Sequence, residues 1–327
     1  MRVLVTGGTG FTGSHVVRRA LERGHAVRVL DNQKGVFFDE LSTMGAEIQL
    51  GSVADREAVA KAVAGRDLVH HVAAAFREIN VAKSLYHQVN VEGTRIVAEE
   101  SLRAGVSRVV YCSTEGVHGD VKRPPGTEES PIAPEDHYQQ TKWEGELAFR
   151  EVLAKGLAGT ILRPTGIYGP GDPARFLMMF RMVKTGRFFI VGDGTAHYHP
   201  VHIDNLCDAF ELAAENPAAL DEAFIIADDR SLTWNELIPM VADALGVRVK
   251  IHYLPLRPVW LLSAVVEGAC WPFGLTPPLF RRRAEMFSHM RAFDISKARR
   301  LLGYDPKVAL ADGLARTAEW YKQHGYL

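Results

Sequence analysis

Residues 1–13 read Met1-Arg2-Val3-Leu4-Val5-Thr6-Gly7-Gly8-Thr9-Gly10-Phe11-Thr12-Gly13. Val3 to Val5 is a short β-branched run of the kind that forms a buried parallel strand. It breaks into a turn carrying Gly7, Gly10 and Gly13, and an amphipathic helix follows with Val16, Val17, Ala20 and Leu21 on one face. Strand, glycine turn and helix in that order make an anion site for a pyrophosphate. Gly7 suits the sharp turn, Gly10 lets backbone approach phosphate without a Cβ between, and Gly13 lets the helix sit close on the strand. The helix N-terminus adds unpaired N–H groups and the positive end of the helix dipole.

Working outward, a second strand at Ala26–Leu30 ends in Asp31, eighteen residues after Gly13. An acid at that distance is placed to accept hydrogen bonds from the ribose hydroxyls of a dinucleotide. Further strands are expected at 47–50, 67–72, 108–112 and 159–162. Helices are expected from Asp55, a good N-cap, over 91–104, and over 143–154. This alternation predicts an α/β fold, a Rossmann-type doubly wound parallel sheet. After Pro164 loops rich in glycine and proline appear. The expected division is a dinucleotide-binding domain at 1–165, rejoined by 201–225 and by the tail 294–327, and a smaller substrate lobe at 166–200 and 226–293.

The chain has 327 residues, of which 47% are apolar and 24% charged. That composition supports a large packed core. The net charge is −1 and the charges are interspersed, so nucleic acid is not an expected partner. Cys112, Cys207 and Cys270 are far apart and have neither metal nor disulfide spacing, so no metal is expected. The chain opens directly into a strand, which points to a cytoplasmic protein without a signal peptide. The longest apolar stretch, 258–275, is broken by Glu267, Pro272 and two glycines and is too short to span a bilayer. It is read as a helix closing the lobe, with contact to a membrane surface as the sharper alternative. Arg281, Arg282 and Arg283 are read as a solvated helix face, with a grip on an anionic group as the alternative.

Tyr138-Gln139-Gln140-Thr141-Lys142 places a phenol and an ammonium on one helix face. A neighbouring cation favours phenolate and makes such a tyrosine a usable acid/base. Ser113-Thr114 stands at the end of the expected strand Arg108–Cys112, where ligands bind in an open α/β sheet.

The spacing Gly-x-x-Gly-x-x-Gly resembles the short-chain dehydrogenase/reductase superfamily in its extended branch. Other segments fit in family order. Tyr111-Cys112-Ser113-Thr114-Glu115-Gly116-Val117-His118-Gly119 resembles the family's Ser-Ser/Thr-x-x-Val-Tyr-Gly segment, with His118 in place of tyrosine. His71-Val72-Ala73-Ala74-Ala75, Asn90-Val91-Glu92-Gly93-Thr94, Arg163-Pro164, Tyr168-Gly169-Pro170, Val201-His202-Ile203-Asp204-Asn205-Leu206 and Gly303-Tyr304-Asp305-Pro306 extend the match over almost the whole chain. The chain is thereby identified as a member of the extended family, of NAD-dependent epimerase/dehydratase type.

The resemblance implies NAD as cofactor and Thr114, Tyr138 and Lys142 as catalytic residues. It implies cofactor contacts from Gly7, Gly10, Phe11, Thr12, Gly13, Asp31, Asn32, Ser52, Val53, Ala73, Ala74, Asn90, Ser113, Tyr138, Lys142 and Pro164, and substrate contacts from Glu115 and Tyr198. Departures narrow the chemistry. The Thr-Asp-Glu triplet of sugar dehydratases is Thr114-Glu115-Gly116 here, so one acid is missing. The arginine that clamps a nucleotide diphosphate in sugar epimerases is replaced by Tyr198, and a second by the context His289-Met290-Arg291.

The apolar lobe, with Trp260-Leu261-Leu262, Trp271-Pro272-Phe273 and Pro277-Pro278-Leu279-Phe280, resembles the 3β-hydroxysteroid dehydrogenase and dihydroflavonol reductase-like branches. The expected activity is therefore NAD-dependent interconversion of a bulky apolar secondary alcohol and its ketone. A nucleotide-sugar epimerase with tightly bound NAD is the alternative. A homodimer is expected through the helix over 91–104 and the one carrying Tyr138. The expected partner is a small-molecule substrate.

Overall fold

In the computed structural model, which describes residues 1–76, 82–172, 175–270 and 285–327, the chain runs β1 (Arg2–Thr6), α1 (Phe11–Glu22), β2 (Ala26–Asp31), α2 (Phe38–Thr43), β3 (Glu47–Leu50), α3 (Arg56–Val63), β4 (Leu68–His71), α4 (Lys83–His87), α5 (Gly93–Arg103), β5 (Arg108–Cys112), α6 (His137–Leu153) and β6 (Gly159–Pro164). Then come β7 (Gly166–Tyr168), α7 (Arg175–Lys184), β8 (Arg187–Val191), β9 (His197–Tyr198), β10 (Pro200–His202), α8 (Ile203–Glu215), β11 (Ala223–Ile226), β12 (Leu232–Thr233), α9 (Trp234–Leu245), β13 (Lys250–Leu254) and α10 (Leu256–Cys270). Two more helices, Ser296–Leu302 and Leu310–Gln323, close the described chain.

Seven strands form one sheet in the order β11-β6-β5-β4-β1-β2-β3, and every pair in it is parallel. The doubly wound α/β fold expected from the glycine turn is thus observed. The order reverses beside β1: one branch of the chain runs from β1 to β2 and β3, the other through β4 to β6. A crevice at such a reversal, at the carboxyl ends of the strands, is where open α/β sheets take ligands. Thr6 faces Leu30 on one neighbour and His71 on the other, so three strands end together there.

Period-two alternation sends Val3 and Val5 to one face and Leu4 to the other. On one face they meet Val16, Val17 and Phe210 of α1 and α8. On the other, Leu4 joins Val59, Val97 and Phe149 of α3, α5 and α6. Asp55 caps α3 as expected, its carboxylate accepting from the N–H of Glu57 and Ala58.

A third cluster holds Tyr168, Phe176, Phe180, Ile190, Tyr198, Trp234 and Leu237. The helix Leu310–Gln323 belongs to this third cluster through Leu314, Ala318 and Tyr321, whereas Ile295, Ala298 and Leu302 pack with the sheet. The tail therefore divides between the two cores, where the sequence reading placed all of 294–327 with the sheet. Its apolar residues fit either core, so periodicity alone did not choose.

Of the stripes expected to make a dimer contact, Val97 and Phe149 are consumed by the core, while Leu147 stands 43% exposed. The motifs at Trp271–Phe273, Pro277–Phe280 and Arg281–Arg283 lie outside the described residues. Among the described residues no helix is long and apolar enough to cross a membrane.

Candidate active site

The turn after β1 holds each glycine for a different reason. Gly7 has φ +69°, and a Cβ there would come within 2.8 Å of the Ala73 Cα. A Cβ on Gly13 would lie 2.1 Å from the Gly7 carbonyl oxygen, so α1 sits on the turn only because none is present. At Gly10 the nearest obstacle would be 3.5 Å away. Gly10 is also the N-cap of α1 and offers no side-chain acceptor to its first-turn N–H groups. Open space over uncapped donors fits a pyrophosphate.

Asp31 ends β2 and is 9% exposed. Its Oδ2 accepts from the Thr9 N–H at 2.9 Å and the Thr9 hydroxyl at 2.7 Å. The glycine turn thus holds the acid, and the hydrogen bonds described for Asp31 all use Oδ2, leaving Oδ1 for a ribose hydroxyl. Phe11 packs edge-on to His15 at the start of α1, and Asn32 is exposed just beyond Asp31. Ser52 accepts from the Ala54 N–H, and the Val53 side chain is buried in the core with Val59. Pro164 is buried at the end of β6.

Two of the expected cofactor residues work indirectly. Asn90 is fully buried in a π-helical turn, Gln88–Glu92. Its Oδ1 accepts from the Ala75 N–H, and its Nδ2 donates to the Ala75 carbonyl and the Thr141 hydroxyl. Its amide therefore pins the Ala73–Ala75 loop to α6 rather than reaching a ligand. Ser113 donates to Glu146 Oε1 at 2.5 Å. Glu146 is itself held bidentately by Arg163 at 3.0 and 2.7 Å, and both partners are buried. Arg163 also donates to His118 Nε2 at 3.0 Å, so His118 Nδ1 donates to the Ser130 carbonyl and the ring is neutral. Burial and Arg163 push His118 below its ordinary range. Ser113 is thus a strut under the strand end, its hydroxyl engaged by Glu146, and Thr114 is the next hydroxyl along the chain.

Thr114 is the N-cap of the short turn Glu115–His118, accepting from the Gly116 N–H and donating to Glu115 Oε2 at 2.8 Å. Tyr138 lies at the start of α6, and its ring packs on Phe76 at 4.7 Å. Lys142, one turn later, is 1% exposed. It donates to the Cys112 carbonyl at 2.7 Å and lies over the Tyr111 ring at 4.3 Å. Burial lowers Lys142, with Tyr138 opposing. Burial also raises the Tyr138 phenol, and the Lys142 charge works against that rise. The Lys142 charge acts on the phenol in the expected direction, and burial outweighs it.

Of the two expected substrate residues, one is at the site. Glu115 is 6% exposed, and Arg291 approaches its Oε1 at 3.3 Å and Glu135 at 3.6 Å. Tyr198 is not: it is 4% exposed in the lobe core, packed on Phe176 and Trp234. Its hydroxyl fills the space a Cβ on Gly166 would need. On the two-residue strand β9 the part-buried His197 and the buried Tyr198 point to opposite faces, and Tyr198 takes the core side.

Sequence reasoning missed Thr9 and the Arg163–Glu146 pair. A hydroxyl between two turn glycines was the available signal for Thr9. The ion pair joins α6 to β6, and nothing local in the sequence announces it.

The sequence profile of the NAD dependent epimerase/dehydratase family matches residues 3–227. The chain is 33% identical over 329 residues to 2-alkyl-3-oxoalkanoate reductase of Stenotrophomonas maltophilia, covering 97% of this chain and 98% of that one. It is 29% identical over 349 residues to the decarboxylating sterol-4-alpha-carboxylate 3-dehydrogenase of Homo sapiens, covering 98% and 88%. Its fold is similar to the crystal structure of UDP-glucose 4-epimerase with UDP-glucose from Thermotoga maritima. That likeness has a TM-score of 0.80 and 27% identity, and covers 99% of each chain.

Proposed function

The chain belongs to the NAD-dependent epimerase/dehydratase family, and from that premise we propose that this NAD-dependent enzyme interconverts a bulky, apolar secondary alcohol and its ketone. The observation that carries the reading is Lys142, buried and held by the Cys112 carbonyl at the carboxyl end of β5 with its charge acting on Tyr138, while Thr114 follows directly after that strand end. The glycine turn would hold the pyrophosphate, Asp31 the adenosine ribose and Lys142 the nicotinamide ribose. Bound there, NAD accepts or returns the hydride. Thr114 orients the substrate oxygen. The Tyr138 hydroxyl gives a proton to that oxygen in reduction and takes it back in oxidation. Lys142 stabilises the phenolate in between, its charge opposing the burial that raises the phenol.

Two features support an apolar substrate. The epimerase clamp position holds Tyr198, which is buried, so no guanidinium stands there. The relatives named as a reductase and a sterol dehydrogenase act on alkyl and sterol carboxylates, by their names. In both the carboxylate is one carbon removed from the reacting centre, and Arg291, which is paired with Glu115 and Glu135, is the cation we propose to receive it. Similarity to a UDP-glucose 4-epimerase over 99% of the chain favours the second reading, a sugar-nucleotide epimerase gripping its diphosphate through Arg291 alone. A homodimer through α5 and α6 is supported by the exposed Leu147.

A panel of 3-hydroxy acids, sterol-like alcohols and nucleotide sugars, each with added NAD, tests the proposal. Turnover is expected on the apolar alcohols. Turnover confined to nucleotide sugars would overturn it.

A further inference from the structure

Helix α10 (Leu256–Cys270) is inside out. Its only buried residue is Ser263. Its most exposed positions are Arg257, Pro258, Leu261, Leu262, Val265, Gly268 and Ala269. Their spacing of three and four residues makes one continuous stripe along the helix. Leu261, Leu262 and Val265 on that stripe are 60%, 56% and 68% exposed. The polar groups of the helix lie elsewhere: Ser263 donates to the Val259 carbonyl, Trp260 Nε1 donates to Glu285, and Glu267 is only part-exposed. A helix that meets water carries its polar residues outward. This one carries aliphatic residues outward.

The stripe continues into the strands before it. In the parallel pair β8–β13, Arg187 faces Lys250 and Phe189 faces His252. Phe189 stacks on His252 at 5.2 Å and is 44% exposed, and Leu254, which leads into α10, is 36% exposed. Arg187, Lys250 and Arg257 are exposed and make no ion pair among the described residues. Unpaired cations therefore stand at the start of the strands and at the start of α10.

We propose that this surface docks the enzyme on an anionic phospholipid bilayer, with α10 lying flat in the interface. The charge pattern favours that occupant: Arg187, Lys250 and Arg257 are exposed cations without an ion pair among the described residues, and acidic headgroups complement them. Beyond Arg257 at its start, the stripe from Pro258 to Ala269 offers apolar side chains and no polar one, which suits acyl chains. Fifteen residues give a helix about 22 Å long, too short to cross a core of about 30 Å but ample to lie within the headgroup boundary. The proposal stands independently of the reaction assigned above.

The test is co-sedimentation of the full chain with vesicles of phosphatidylcholine alone and of phosphatidylcholine mixed with phosphatidylglycerol. Binding is expected to the mixed vesicles, at least about tenfold weaker to the neutral ones, and reduced by salt. The double variant Leu261→Glu/Val265→Glu, at exposed positions, should lose binding by about tenfold or more while keeping the wild-type circular dichroism and NAD affinity. Arg187→Glu/Lys250→Glu should lose only the preference for anionic vesicles. No binding to either vesicle, or binding indifferent to both double variants, would overturn the proposal. So would a wild-type oligomer that Leu261→Glu/Val265→Glu dissolves without any effect of vesicles, because the face would then be a contact between subunits.

Discussion

In the proposed reaction the chemistry turns on Tyr138 and the cofactor choice on Asp31. Tyr138→Phe removes one hydroxyl and keeps the ring that packs on Phe76. It should cut turnover by about a hundredfold to ten-thousandfold and leave NAD affinity within about threefold of wild type. Near-normal turnover would remove Tyr138 from the acid/base role. At Asp31 the carboxylate is fixed by two bonds from Thr9, and a ribose 2′-phosphate would meet its negative charge. NADP should therefore bind at least about tenfold more weakly than NAD, a factor that corresponds to about 1.4 kcal/mol. Asp31→Asn should narrow the gap, as fluorescence titration with both cofactors would show. The places of both residues, Asp31 at the end of β2 and Tyr138 at the start of α6, were legible in the sequence, because each stands at a fixed distance along the chain from a strand or a helical partner. Thr9, Arg163 and Glu146 were not. Their roles arise from side chains meeting across elements, and a one-dimensional pattern does not encode that meeting.

Among the elements, the π-helical turn Gln88–Glu92 and α6 set the position of the catalytic pair. They approach so closely at Gly145 that a Cβ there would lie 2.3 Å from the Asn90 carbonyl oxygen and 2.8 Å from the Tyr111 hydroxyl. Gly145→Ala should destabilise the fold by about 1–3 kcal/mol in urea unfolding. Gly268→Ala, on α10 with nothing within 4 Å of the added Cβ, should be neutral or slightly stabilising. Equal effects of the two would contradict close packing as the cause. The sequence reading expected a helix over this region and found its apolar side, but it could not show the extra residue in the turn. Periodicity resolves a face, not a local change of pitch. The same limit applies to α10. Its apolar composition was legible, but which side faced water was not, because that depends on what the lobe core leaves uncovered.

At the scale of the whole molecule, five histidines are buried and held below their ordinary range, four of them furthest. Burial depresses His70 and His71 to about 3 and His199 and His202 to about 4. Each is charged more readily when unfolded, so its contribution is complete above the unfolded value near 6.5 and is lost as pH falls toward 3–4. By about pH 5 each costs roughly 2 kcal/mol, and together they rival the whole stability of a typical domain. Asp228, raised to about 6 by burial, acts in the opposite sense but is one group against four. Urea unfolding should thus show stability falling steeply from pH 7 to pH 5. A flat profile would mean that the histidines are solvated.

The doubly wound order, the crevice beside β1 and the glycine turn were all legible from alternation and spacing. The division of the tail between two cores was not. The central claim is a net redox reaction. It is tested most directly by mixing the purified enzyme with an apolar secondary alcohol and NAD and following the near-ultraviolet absorbance of reduced nicotinamide. The account predicts one reduced nicotinamide per ketone formed, abolished in Tyr138→Phe. Interconversion of a nucleotide sugar with no added cofactor and no net change in that absorbance would contradict it.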